Sequence, residues 1–148
     1  MRGISLALAL TATTAAAQDA TLYEFDGTFD DATFVVEEAI VGRGLVLDFV
    51  SHVGDMLNRT REDVGGEQLF DGADIFLFCS AVISRQVIEA NPMNVAHCPY
   101  GILVVERNGK VRVGYRNMPE GEMQAVEELL DQIAQEATGR ADPAPGLP

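Results

Sequence analysis

The chain has no tryptophan, only two cysteines, and no apolar run of the roughly 20 residues that a bilayer crossing takes. Basic residues are scarce: 10 Lys and Arg stand against 23 Asp and Glu, a formal net charge of −13. Nucleic acids and anionic membrane surfaces are recognised through basic patches, so that balance argues against both. Familiar catalytic patterns are missing as well. There is no Gly-x-Ser-x-Gly elbow, Gly-rich phosphate loop, His-Glu-x-x-His pair or EF-hand loop. The many carboxylates show no pairing that sets them apart from a solvated face. Hydrolytic chemistry has no positive support, and a non-enzymatic role is the expectation.

What is there suits one globular domain. In 148 residues, 47% of side chains are apolar and 22% charged, enough apolar surface to build a core. Met1–Ala17 reads as a secretory signal, with Arg2 before the apolar stretch Ile4–Leu10 and small residues at Ala15–Ala17. The expected destination is a bacterial periplasm, with no stable membrane insertion once the signal is cleaved. Residues 18–139 then form a single domain. Residues 140–148 carry half of the six prolines and read as a disordered tail.

Patterning within the domain predicts the order β-α-β-(α)-β-α-β-β-α, an α+β fold with a mixed sheet covered by helices. Thr21–Phe25 alternates as a half-buried strand does. Thr28 with Asp31 opens a helix that Gly42 and Gly44 end. Leu45–Val50 reads as a strand, Ser51–Asp63 as a weak helix, and Ile75–Phe78 as a strand buried on both faces. Ser80 caps the next helix, which Asn91-Pro92 stops. Asn108-Gly109 joins Gly101–Val105 to Lys110–Tyr115 as a hairpin. A last helix starts near Pro119 and closes at Gly139.

Chemistry concentrates on soft side chains. Cys79 follows the Ile75–Phe78 strand and Cys98 precedes the Gly101–Val105 strand. A right-handed crossover would make those strands parallel and separate the cysteines, whereas a return over the top by Asn91–His97 would join them. Both arrangements stay open, as does the choice among a structural disulfide, a reactive or ligating pair, and two separate thiols. Cys79 stands just before a helix N-terminus, whose partial positive charge stabilises a thiolate. His52 and Met56 are four positions apart and would share a helix face. With Cys79, Cys98 and His97, and with Met93 nearby, they form a donor set suited to copper or non-covalent haem. The absence of Cys-x-x-Cys-His excludes covalent haem attachment.

Three segments, Phe78-Cys-Ser-Ala81, Ile88-Glu-Ala-Asn-Pro92 and Cys98-Pro-Tyr-Gly-Ile-Leu-Val-Val-Glu106, carry a family likeness. On them the chain resembles domain-of-unknown-function family 302, small bacterial and archaeal α+β proteins, over roughly Thr21 to Ala137. Cys79 and Cys98 match that pattern's two cysteine positions, and Asn91 stands where an Asp is common. The resemblance implies a compact α+β domain. It places this chain with exported relatives that keep the His52-to-Met56 stretch. Intracellular relatives share the cysteine pair, which implies a common site rather than a purely structural bridge.

The expectation is an exported binding or redox-accessory protein with a site of Cys79, Cys98, His52, Met56 and His97 for copper or haem. Its rivals are a thiol–disulfide protein using Cys79 as nucleophile and an interaction module with a static bridge. The expected partners are a periplasmic protein or a second copy of the chain.

Overall fold

Local signals set most element ends in the computed structural model, which describes residues 19–147. The expected signal, Met1–Ala17, lies outside those residues. The elements are β1 (Ala20–Phe25), α1 (Phe29–Val41), β2 (Val46–His52), α2 (Val53–Val64), β3 (Gly72–Cys79) and α3 (Ala81–Ala90). A 3₁₀ segment (Pro92–His97), β4 (Tyr100–Arg107), β5 (Lys110–Arg116) and α4 (Gln124–Thr138) complete the chain. This is the α+β order that the patterning predicts.

Thr28 begins α1 with a full capping box: its hydroxyl accepts from Asp31 N–H at 3.1 Å, and the Asp31 carboxylate accepts from Thr28 N–H at 3.1 Å. Ser80 caps α3 by accepting from Ile83 N–H at 3.3 Å. Asn108 and Gly109, with φ of 54° and 69°, make the tight turn between β4 and β5. Gly139, at φ 64°, closes α4, which begins at Gln124 rather than near Pro119.

The five strands form one sheet in the order β1-β5-β4-β3-β2. Every pairing is antiparallel, so the sheet is not mixed. The reason lies between β3 and β4. α3 has only 10 residues, and the 3₁₀ segment folds back against it instead of carrying the chain down the sheet. Buried Asn94 fixes that return, its side-chain amide donating to Val87 O of α3 at 2.9 Å. The chain therefore re-enters the sheet at the end where it left.

α1 and α4 pack beside each other on one sheet face. Val36, Ile40, Leu130 and Ile133 from these helices meet Phe76, Phe78, Ile102, Val104 and Val113 from the strands, all buried. Fully burying one such side chain stabilises by about 1.5–3 kcal/mol.

The opposite face is only partly closed. Its rows are set by register: Leu77 beside Gly101, then Ile75 beside Leu103 and Gly114. A bulge in β2 at Asp48 adds one residue between Leu47 and Phe49. It turns Phe49 onto this second face beside Leu77, where it is 63% exposed. Residues 140–147 hold no helix or strand. They nonetheless make specific contacts: Arg140 pairs with Asp26 at 2.5 Å, and Ala144 N–H donates to Leu22 O at 2.6 Å.

Candidate functional site

Cys79 is the last residue of β3 and immediately precedes the Ser80 cap of α3. Cys98 closes the 3₁₀ segment, its N–H donating to Val95 O at 3.1 Å. The two are joined in a disulfide with Cα atoms 6.6 Å apart, and the Cys98–Pro99 peptide is cis. Of the two arrangements the spacing left open, the chain adopts the return over the top. The antiparallel turn-back at Asn94 is what makes it possible.

Both cysteines are half-buried, and Cys98 packs against the core. Exposed apolar side chains stand around them. Val46 is the strand partner of Cys79, Val82 lies in the first turn of α3, and Val95 is hydrogen-bonded to Cys98.

His52 and Met56 do not join this centre. His52 ends β2 instead of lying in a helix, so the shared helix face expected for the pair does not form. It sits opposite Asp74, whereas Cys79 sits opposite Val46. Five strand positions between Asp74 and Cys79 amount to about 17 Å. The His52 ring is bound locally, its Nδ1 lying 2.9 Å from Asp74 Oδ1. Both cysteine sulfurs are bonded to each other. No group of three or more His, Cys, Asp and Glu among the described residues could hold a metal ion. The expected Cys/His/Met donor set is therefore dispersed. Met93 is exposed on the 3₁₀ segment.

His97 is different. With Pro99, Tyr100, Arg116 and Met118 it borders a cavity of about 370 Å³ on the open sheet face, floored by Ile75, Leu77, Gly101 and Leu103. Leu77 lies two positions before Cys79, so both point to the same face about 7 Å apart. The cavity lining includes His97 and Pro99, the chain neighbours of Cys98, but neither cysteine. Neither Gly101 nor Arg116 stands out in the sequence, because only the β3-β4-β5 register brings them beside Leu77.

A second polar centre also escapes a reading by motif. Tyr23 and Tyr115 both donate to Asp131 Oδ1, the latter at 2.8 Å, and Gln135 donates to Oδ2 at 2.7 Å. Burial, followed by donation to Asp131, raises the ionisation of both phenols above the ordinary tyrosine range. A cavity of about 510 Å³ opens above them, edged by Thr21, Gln124, Glu127 and Glu128. Its donors and acceptors are largely committed to one another, so it reads as a polar pin between α4 and the β1–β5 pair.

No curated protein matches the chain. A solved structure, the crystal structure of an uncharacterised conserved DUF302 protein from Bacillus stearothermophilus, matches with a TM-score of 0.63 and 17% identity. The match covers 83% of this chain and 95% of that one, and at this identity it speaks to the fold. The family model described as domain of unknown function DUF302 matches residues 23–144, which contain the whole sheet apart from the first residues of β1, and the chain belongs to that family.

Proposed function

We propose that the protein is an exported, periplasmic thiol–disulfide exchange protein whose working group is the Cys79–Cys98 bond. One observation carries this reading: both bonded cysteines are only partly buried, and Cys79 stands directly before the capped N-terminus of α3. The partial positive charge of that helix end favours the Cys79 thiolate over the thiol. The Met1–Ala17 leader supports export to a compartment in which disulfides persist.

Exchange needs only thiols as reductant. A thiolate attacks the Cys79 sulfur, forming a mixed disulfide and releasing Cys98 as a thiolate that takes a proton from water. A second thiolate attacks the partner sulfur of that mixed disulfide. The product is the partner's own disulfide, and Cys79 leaves as the thiolate held by the helix end. Two electrons pass from two thiols to the Cys79–Cys98 bond. An oxidised partner reverses the sequence, with Cys79 as nucleophile.

A static bridge is the second reading, favoured by the contact of Cys98 with the core. Native reduction separates the two. The folded protein is expected to lose its disulfide to millimolar dithiothreitol without denaturant, and Cys79 is then expected to react with iodoacetamide before Cys98. Reduction only under unfolding conditions would favour the static bridge.

A further inference from the structure

We infer that the groove beside the disulfide binds a small thiol or disulfide with an apolar body and one carboxylate. The inference rests on the exchange reading, and it names the substrate that reading lacks.

The groove is built by register. Leu77 of β3 pairs with Gly101 of β4, and Ile75 with Leu103, all with side chains on the helix-free face. Gly101 contributes no side chain, so Ile75 and Leu77 close over it: a Cβ there would meet Ile75 Cγ2 at 3.0 Å and Leu77 Cδ2 at 3.3 Å. The β4–β5 pairing, Ile102 with Tyr115, continues to set Arg116 beside Gly101. The result is a short trough with leucine and isoleucine walls, Arg116 at one side and His97 toward the cysteines.

Its volume of about 370 Å³ falls in the range of roughly 300–1,000 Å³ typical of small-molecule sites, which pair apolar walls with a few polar groups. Arg116 supplies the polar end. On a chain of net charge −13, free anions are repelled at long range. A guanidinium edging an apolar trough offers a local fork for a carboxylate. The sulfur end follows from distance. Arg116 lies two strand spacings from Leu77, and Cys79 lies two residues beyond, a diagonal of about 12 Å. The Arg116 and Cys79 side chains take up part of that backbone span, and a ligand with its sulfur six to eight atoms from its carboxylate suits the remainder. Two such ligand thiols, or one dithiol, supply the electrons for the exchange already described.

Two probes test this on the full protein. Octanoate carries the apolar chain and the carboxylate without sulfur. It is expected to bind saturably and to shift the methyl resonances of Ile75, Leu77 and Leu103. Arg116→Gln is expected to weaken binding about ten-fold and Arg116→Lys to recover part of it. Dihydrolipoate adds two thiols to the same frame. At equal thiolate concentration it is expected to open the Cys79–Cys98 bond faster than dithiothreitol does. Arg116→Gln should erase that advantage, bringing the dihydrolipoate rate down to that of dithiothreitol on the same variant.

Absence of saturable octanoate binding, or shifts confined to Val46, Val82 and Val95, would overturn the groove and leave exchange with a protein partner. Octanoate binding with a disulfide that neither dithiol opens in the folded protein would overturn the exchange reading. Equal dithiol rates in both proteins would overturn the assignment of Arg116 to the substrate.

Discussion

Asp131 holds three donors at once, the hydroxyls of Tyr23 and Tyr115 and the amide of Gln135. The two phenols are bonded as neutral groups, and burial then donation to the carboxylate raise their ionisation in the folded chain. A folded value above the unfolded one means that the stabilisation is complete below the ordinary tyrosine value of about 10 and is lost as pH rises through the folded values. Stability is therefore expected to fall in strongly alkaline solution. Absorbance at 295 nm should show Tyr23 and Tyr115 ionising late, at or with unfolding. Tyr115→Phe removes one charge-assisted donor and is expected to cost about 1–2 kcal/mol in urea denaturation, with the late phase smaller by one tyrosine. Nothing local in the sequence announces this cluster, since Tyr23 and Asp131 are brought together only by the β1–β5 pairing and by α4 lying across it. Cys79 and Cys98 did stand out, because softness and helix position can be read from neighbouring residues. Their bonding could not, because it depends on strand direction.

Helix caps were the most legible elements. Thr28 with Asp31, Ser80, and Gly139 each act at the end that their sequence predicts. Capping is a short-range matter of one side chain and two or three backbone groups, so a window of four residues contains it. Thr28→Ala removes the box from α1 and is expected to cost about 1 kcal/mol, measured as a shift in denaturation midpoint at unchanged m-value. Ser80→Ala does the same to α3 and has a chemical consequence too. On the exchange reading the first turn of α3 favours the Cys79 thiolate, so loosening it should shrink, in the reduced protein, the preference of iodoacetamide for Cys79 over Cys98. An unchanged preference would mean that α3 does not set the reactivity. The junction of β2 and α2 was the element misread. An apolar pattern weak in either period runs from Leu45 past His52, and pairing with Asp74 on β3 extends the strand through His52. That two-residue shift of the boundary, from Val50 to His52, is what dissolves the His52–Met56 pair.

The whole molecule depends on a closure that the patterning leaves open. The Cys79–Cys98 bond ties β3, α3 and the lead into β4 into a loop with a sequence separation of 19. In the chain-entropy model such a loop contributes about 3 kcal/mol, a large share of the roughly 5–15 kcal/mol of a whole domain. The double variant Cys79→Ser, Cys98→Ser should unfold at lower denaturant by that amount yet keep its far-ultraviolet spectrum, since Asn94 and the buried β4 strand still turn the chain back. Fold class and element order follow from periodicity and caps. Strand order does not, because the partner of β1 is β5, almost the length of the domain away. The two sheet margins differ in a way that bears on solubility. At β1, the Leu22 carbonyl is met by Ala144 N–H. At β2, exposed Val46 and Phe49 would offer an adhesive ribbon to another molecule, but the extra residue Asp48 kinks that ribbon and puts a charge on it. Deleting Asp48 would straighten the margin. The expected result is thioflavin-positive fibrillar material at concentrations where the unaltered protein stays clear.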